Sequence, residues 1–240
     1  MRVAALYDIH GNLPALDAVL GEAEEERVDL VLFGGDIAWG PQPRPTLERV
    51  MGLGSRATAI RGNADREVAA GSGIEDGLDA ATARQNQWCS EQLTQEQRNW
   101  LKALPPTQVV DVDEIGPVLF CHGSPRSDEE TITTGTTEPR LRDMLEGVEE
   151  RTVVCGHTHA QFARPVGAKS VINAGSVGLP FGDPGAYWCL LGPRIDLRHT
   201  SYDVAAAAAS FRREGGPEGD EFAAHALAPP PHETAAKIFT

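Results

Sequence analysis

The sequence predicts a layered α/β sandwich that opens with a strand, a helix and a second strand and closes with strand pairs. Short apolar runs without polar alternation recur along the chain, which is typical of strands buried on both faces. These runs cover residues 3–7, 28–33, 57–60, 118–121 and 153–155. Between the first two runs, apolar residues recur at helical spacing, with Pro14 near the start of the segment. We therefore expect buried strands separated by helices.

Further elements follow from the same patterns. A short helix is expected over residues 45–50, and one long helix or two joined helices over 79–104, ended by Pro105 and Pro106. Four strand-like segments then follow in close succession, which predicts C-terminal hairpins; they are residues 162–166, 169–173, 187–191 and 195–199. A surface helix is expected over residues 204–213. We treat residues 1–214 as a single domain with a helical insertion at about 76–104, and residues 215–240, rich in Gly, Ala and Pro, as an extended or poorly ordered tail.

The composition limits the possible partners. The 240 residues carry 35 acidic and 21 basic side chains, a formal charge of −14, which argues against an extended nucleic-acid surface or binding to an anionic membrane. A small anionic substrate remains possible, because a bound cation reverses the field locally. No apolar segment approaches the roughly 20 residues of a membrane span, and nothing at the start resembles a signal peptide. The four cysteines stand apart in the sequence, so we expect reduced thiols in a cytoplasmic protein.

Each apolar run is followed by side chains that can bind a metal ion. In α/β sheets, ligands gather beyond the carboxyl ends of the strands, so five adjacent strand ends are expected to bring these side chains together. The set combines four imidazoles, two carboxylates and one amide, which suits Mn, Fe, Zn, Co or Ni. It consists of Asp8, His10, Asp36, Asn63, His122, His157 and His159. Seven ligands are too many for one tetrahedral site and suit two ions that share a carboxylate.

Each of these residues has another interpretation when it is taken alone. Asp8 and Asp36 could cap helices, since both follow strands. Asn63 could form a turn after Gly62, and His122 could be a buried histidine with ordinary hydrogen bonds. The ordered series of five strand ends favours the metal interpretation for all of them.

The H-x-H motif at residues 157–159 also leaves alternatives open. On an extended segment, residues two apart point to the same side, so the two imidazoles could bind metal, form an acid–base pair or simply lie near each other. Zinc enzymes of the amidohydrolase and lactamase-like kinds carry the same spacing. The companion motifs weaken that interpretation.

The order D-x-H, G-G-D, G-N-x-D, H-G and G-H-x-H resembles the calcineurin-like metallophosphoesterases over roughly residues 1–180. Residues 173–178, NAGSVG, also resemble a segment of the small bacterial and archaeal phosphodiesterases of that superfamily. The resemblance implies an α/β/β/α sandwich with mixed sheets. It also implies hydrolysis of a P–O bond by a metal-bound hydroxide, without a protein nucleophile.

The resemblance assigns roles to individual residues. Two divalent transition-metal ions are implied, with manganese expected and Fe, Zn, Ni, Co or Mg as alternatives. The first would be held by Asp8, His10 and His159, and the second by Asn63, His122 and His157, with Asp36 bridging them. Asp36, Asn63 and His122 would act in catalysis through the ions they hold. The expected substrate is a small phosphodiester, phosphomonoester or phosphoanhydride.

Two other functions remain open. The fold also occurs as a non-catalytic scaffold for protein interactions, as in a retromer subunit, and as phosphatases or nucleoside polyphosphate hydrolases. Many relatives carry a histidine after the asparagine, where it protonates the leaving group, but this chain has Ala64. We therefore expect substrates whose leaving group needs little protonation.

Four further residues are weaker candidates for contact with the ligands or the substrate. Asn12 could orient a ligand or form a turn, and Asp65 could orient a ligand histidine or cap a helix. Arg66 and Arg126 flank the ligand loops and could clamp a phosphate, although an exposed, solvated arginine is the common case.

Overall fold

The computed structural model describes residues 1–239, which form two five-stranded sheets. The first sheet has the strand order β10-β9-β1-β2-β3 and the second β4-β5-β6-β8-β7. The strands are β1 Val3–Leu6, β2 Leu30–Phe33, β3 Ala57–Ala59, β4 Thr107–Val112, β5 Gly116–Cys121, β6 Thr152–Cys155, β7 Phe162–Val166, β8 Lys169–Asn173, β9 Ala186–Leu191 and β10 Ile195–Thr200. Both sheets are mixed, and the predicted fold class is confirmed.

The helices pack outside the two sheets or follow them at the C-terminal end. They are α1 Leu13–Glu25, α2 Pro43–Met51, α3 Asn63–Ala70, α4 Ala80–Gln92, α5 Gln95–Ala103, α6 Glu138–Met144, α7 Val204–Glu214, α8 Gly219–Leu227 and α9 His232–Ile238. The predicted helical insertion is two helices, because Thr94 caps α5 and separates it from α4. Among residues 1–239, none of the helices combines the length and the apolar character that crossing a membrane requires.

Alternate residues of the strands face different layers. In β1, Val3 and Ala5 pack between the two sheets, whereas Ala4 and Leu6 pack against the outer helices. A third apolar cluster lies between the second sheet and α6 and includes the thiol of Cys121. Both faces of each sheet are therefore covered, which explains the continuous apolar runs of β1, β2 and β6.

The parallel strands fix where the functional end of the molecule lies. Strands β1, β2 and β3 run parallel in the first sheet, and β5, β6 and β8 run parallel in the second. In the register, Leu6 lies beside Phe33, and Phe33 lies beside Ala59. The carboxyl ends of neighbouring strands therefore lie at the same edge of each sheet.

The prediction that residues 215–240 form an extended or poorly ordered tail is wrong for the described residues. Helices α8 and α9 occupy most of this segment, and α8 packs against α7 through a buried cluster that includes Phe211 and Phe222. Helices of seven to nine residues are marginal in isolation, so this structure depends on tertiary packing that the composition does not reveal. The division of the chain at residue 214 stays a prediction.

Candidate metal centre

Six of the predicted ligands gather into two groups at the strand ends. Asp8, His10 and His159 form the first group, in which one ligand atom from each residue lies within 4.8 Å of the others. Asp36, His122 and His157 form the second group by the same measure. The ends of β1 and β2 contribute from the first sheet and those of β5 and β6 from the second. The ligands thus lie between the edges of two facing sheets, whereas the sequence pattern suggested five adjacent strand ends.

The two groups are in direct contact through their carboxylates. Asp36 Oδ2 lies 3.4 Å from His122 Nε2 in its own group and 3.7 Å from His10 Nε2 in the other. Asp8 Oδ1 lies 3.5 Å from His159 Nε2 and 3.8 Å from His122 Nε2. Both carboxylates therefore stand between the groups.

Several ligand atoms at this centre are buried without a partner. Within residues 1–239, Asp8 Oδ1, Asn63 Oδ1 and His122 Nε2 have no hydrogen-bond partner. Unpaired buried acceptors such as the Asp8 and Asn63 oxygens are costly, and a cation would satisfy them. Cations fit this donor set of carboxylate oxygen, amide oxygen and imidazole nitrogen, which divalent transition metals accept.

The backbone of the ligands is strained in a common way. Of the seven non-glycine residues with positive φ in the described chain, five are predicted ligands; these are Asp8, His10, Asp36, His157 and His159, with φ between 47° and 62°. Residues other than glycine rarely adopt this left-handed region, and such strain is concentrated at functional sites. The loops after β1, β2 and β6 therefore hold their ligands in conformations that the surrounding packing must support.

The H-x-H motif does not lie on an extended segment. Strand β6 ends at Cys155, and both histidines have left-handed backbones in the following bends. The same-side geometry expected from an extended chain is therefore wrong. The turns send His159 to the first group and His157 to the second.

Backbone carbonyl oxygens orient three of the imidazoles. His10 Nδ1 lies 3.0 Å from the oxygen of Trp39, His122 Nδ1 lies 2.8 Å from that of Gly34, and His159 Nδ1 lies 2.8 Å from that of Leu179. Because a carbonyl accepts the N–H at Nδ1, each Nε2 faces the carboxylates of the centre and can bind a cation once it has lost any proton it carries. Sequence reasoning missed these partners, since any residue type supplies a carbonyl.

Two glycines allow the ligand loops to approach each other. A Cβ at Gly62 would lie 2.1 Å from Asp36 Oδ1, and a Cβ at Gly156 would lie 2.6 Å from Asp8 Oδ2. Any side chain there would displace a ligand carboxylate. The glycines of the G-N and G-H motifs are therefore required by the close packing of the ligand loops.

Comparison with known proteins identifies the family. The model of the calcineurin-like phosphoesterase superfamily domain matches residues 1–192. This chain belongs to that superfamily. An uncharacterized protein of Methanocaldococcus jannaschii is 25% identical over 228 residues, 85% of this chain and 89% of the relative.

Solved structures of two other proteins share the fold. A metallophosphoesterase from Sphaerobacter thermophilus has a TM-score of 0.73 and 27% identity, covering 95% of this chain and 100% of that one. A hypothetical protein from Pyrococcus horikoshii has a TM-score of 0.82 at 21% identity, covering 94% of this chain and 98% of that one. Both cover a larger share of this chain than the family match does.

In this superfamily member, the side chain of Asp65 supports the loop that carries Asp36. Its buried carboxylate accepts hydrogen bonds from the backbone N–H groups of Asp36 at 2.8 Å, Ile37 at 2.8 Å and Gly62 at 3.1 Å. The sequence suggested that Asp65 orients a histidine or caps a helix. It caps α3 and, instead of a histidine, holds the loop that carries Asp36.

The charges of the centre divide the histidines into two kinds. Burial lowers the pKa of His122, but the Asp36 carboxylate outweighs burial and raises it to about 10. The pKa of His159 is raised by Asp8 in the same way, also against burial. Burial lowers the pKa of His10 to about 4, and neighbouring His159 adds to this; burial and His122 do the same for His157. The metal-free centre therefore holds a proton on His122 at neutral pH, whereas His10 and His157 are neutral.

Metal binding at pH 7.5 is therefore expected to release at least about one proton per protein, because a metal ligand must be a neutral imidazole. Titration with Mn²⁺ by calorimetry in buffers of different ionisation enthalpy measures this number. His122→Asn should release about one proton fewer, because it removes the histidine with the highest pKa. Equal heats in all buffers would contradict the prediction.

The remaining candidates have partners other than the metal centre. Asn12 caps α1 by accepting from Ala15 N and donates to the oxygens of Gly178 and Tyr202. The Asn12 side chain thus links the start of α1 to the segments that carry Gly178 and Tyr202. A contact with substrate stays a prediction without support from these bonds.

The two arginines are bound by carboxylates. Arg66 contacts Asp128 at 3.2 Å and also Glu129, and Arg126 contacts Glu130 at 2.8 Å and Asp143 at 3.0 Å. The structure thus gives these guanidinium groups protein partners in place of the phosphate that the sequence suggested.

Proposed function

We propose that this protein is a phosphodiesterase that uses two divalent transition-metal ions to hydrolyse a P–O bond of a small phosphoester. The two ligand groups joined at Asp36 carry the proposal, because adjacent cations are what hydrolysis of an anionic ester requires. The superfamily membership and the likeness to the S. thermophilus metallophosphoesterase support it. Manganese is the expected metal, with Fe, Zn, Ni, Co and Mg as alternatives.

The ligand assignment follows the two groups. Asp8, His10 and His159 would hold one ion, and His122, His157 and Asn63 the other, with Asp36 between them. When bound, the ions would neutralise the phosphoryl oxygens and lower the pKa of a water molecule towards roughly 7.

The chain itself positions these groups. Asn63 Oδ1 is buried without a hydrogen-bond partner from the protein, which leaves it available to a cation. The peptide N–H of Ala64 donates to Asp36 Oδ1 at 2.9 Å, so the Oδ2 atom stays available for bridging. The same loop therefore orients an amide ligand and the shared carboxylate.

The position after Asn63 has no group that can transfer a proton. Ala64 is buried and presents a methyl group where many relatives carry histidine. Asp65, the next residue, uses both carboxylate oxygens on backbone N–H groups. A leaving group would therefore depart without protonation from this loop, which favours activated diesters, cyclic phosphates and phosphoanhydrides.

The experiment is a substrate series with the Mn²⁺-loaded protein. Hydrolysis of bis(p-nitrophenyl) phosphate is expected, and kcat/KM should fall steeply across aryl phosphodiesters as the pKa of the leaving phenol rises. A flat dependence would mean that a proton donor exists elsewhere. Stoichiometric metal without turnover of any phosphoester would instead support the non-catalytic scaffold.

The class of partner is also part of the proposal. We expect a small phosphoester or phosphoanhydride in a cytoplasmic setting, without an extended nucleic-acid surface or membrane binding. The net charge of −14 supports this. The pairing of Arg66 and Arg126 with carboxylates also supports it, because a long polyanion would need such guanidinium groups for its phosphates.

A further inference from the structure

The C-terminal helix places an aromatic ring against the metal centre. Phe239 directly follows α9, and its ring centroid lies 5.8 Å from that of His157 and 6.3 Å from that of His159. This residue lies beyond the part of the chain that the family model matches. One side chain thus contacts a candidate ligand from each of the two metal-binding groups.

Helix α9 is held in this position by specific contacts. Ala235 is buried in a small cluster with Ala160 and Phe181. His232 Nε2 lies 2.9 Å from the backbone oxygen of Gln161, which anchors the start of the helix. Phe239 is therefore placed by the fold and remains half-buried at the edge of the centre.

Two further aromatic side chains border the same centre. The ring of Phe181 lies 6.4 Å from that of His159 and 6.3 Å from that of Phe239. The indole of Trp39 lies 5.5 Å from the ring of His10 in an edge-to-face arrangement. We call Trp39, Phe181 and Phe239 the aromatic rim.

The aromatic rim differs in chemistry from the phosphate of a substrate that would bind at the metal centre. The face of an aromatic ring carries partial negative charge, so the face of Phe239 does not attract an anionic phosphoryl group. It does stabilise a second planar ring at centroid distances of 4.5–7 Å. The rim therefore suits the organic part of a phosphoester better than its phosphate.

We propose that Phe239, supported by the buried ring of Phe181, binds the organic group of the substrate at the aromatic rim and makes the site selective for phosphoesters of planar aromatic groups. The inference rests on the proposed function, because it assigns the substrate class of the same centre. Phe239 is a specificity-determining residue in this role, and the C-terminal helix is the element that delivers it. Large polymeric esters would meet α9 at the edge of the centre.

The test measures binding and does not depend on turnover. Phenylphosphonate and methylphosphonate carry the same phosphonate group, so their dissociation constants for the Mn²⁺-loaded protein, measured by calorimetry, isolate the contribution of the ring. Wild type should bind phenylphosphonate more tightly. Phe239→Ala should weaken phenylphosphonate by about threefold to tenfold and leave methylphosphonate within about twofold.

Two matched variants sharpen the result. Phe239→Leu keeps an apolar side chain without the ring, so it should retain only part of the preference for phenylphosphonate over methylphosphonate. Ile238→Ala changes the neighbouring residue, which is 60% exposed, and should leave both constants unchanged. Equal weakening of both ligands by Phe239→Ala would overturn the proposal, because it would indicate damage to the metal centre. Tighter binding of both ligands would also overturn it, because Phe239 would then obstruct the site.

The experiments can contradict the phosphodiesterase proposal and the rim proposal independently of each other. If wild type hydrolyses aryl diesters but binds both phosphonates equally, the rim proposal fails and the phosphodiesterase proposal stands. If wild type prefers phenylphosphonate and Phe239→Ala removes the preference while no phosphoester is hydrolysed, the phosphodiesterase proposal fails. The rim would then be supported as a feature of a binding protein.

Discussion

Asp36→Asn is expected to lower kcat/KM for bis(p-nitrophenyl) phosphate by about 10³-fold or more, since it removes the charge shared by two cations and thereby several kcal/mol of transition-state stabilisation. The same variant should lose high-affinity binding of both ions, measured as metal content after gel filtration. Asparagine keeps an oxygen for the N–H of Ala64, so the loop geometry is preserved. The metal-free variant should unfold below the wild-type temperature, because the attraction between the Asp36 carboxylate and the protonated His122 is lost.

Two comparisons make the Asp36 result specific. His157→Ala removes a ligand from one group only, so it should lose one ion and keep the other. Asp113→Asn, at an exposed carboxylate paired with the N-terminus, should keep both ions and full activity. If Asp36→Asn retained one tightly bound ion, Asp36 would belong to a single site and the bridging role would fail.

Asp65→Ala is expected to lower the free energy of unfolding by about 4 kcal/mol, because it leaves three buried N–H groups unsatisfied at roughly 1–3 kcal/mol each. The affinity for Mn²⁺ should also fall by about 10- to 100-fold, since the loop that carries Asp36 loses its support. Urea unfolding of the metal-free protein separates the first effect from the second.

Asp79→Ala is the matched control for Asp65. Asp79 also accepts backbone N–H groups at a helix start, those of Ala81 and Thr82, but it is exposed. Its removal should cost about 1 kcal/mol and leave metal binding intact. A cost for Asp65→Ala as small as that of the control would show that water satisfies the freed N–H groups.

Burial and the Asp36 charge raise the pKa of Asp65 to about 7, and this gives the pH dependence a sign. A carboxyl whose folded pKa lies above its unfolded value stabilises the fold below the unfolded pKa and loses that contribution as pH rises through the folded one. The metal-free protein should therefore lose this contribution between about pH 4 and pH 7. Asp65→Asn, which cannot titrate, should show less of this loss in the same unfolding experiment.

The sequence predicted which side chains gather at the strand ends better than it predicted their geometry. Asp8, Asp36 and His122 follow buried strands, and periodicity alone locates strand ends, so their gathering was foreseeable. Periodicity did not reveal that these residues come from two facing sheets, because the pairing of β5 with β6 and of β1 with β2 is decided by tertiary packing.

Other features of the site could not be predicted from the types of the residues involved. The left-handed conformations of His157 and His159 depend on the loops that surround them, and H-x-H alone suggested an extended chain. The packing of α9 and the position of Phe239 arise from long-range contacts in a segment whose composition suggested disorder. Local pattern thus predicted which side chains lie together at the strand ends, and packing decided how they are arranged.

The left-handed ligands also bear on what kind of scaffold can carry such a centre. At roughly 1 kcal/mol each, the five strained residues together oppose folding by about 5 kcal/mol, a large part of the 5–15 kcal/mol by which a typical domain is stable. Three apolar layers around two sheets are what offset that burden. A miniature version reduced to the ligand loops would therefore collapse into other conformations, so transplanting this chemistry requires moving both sheets with it.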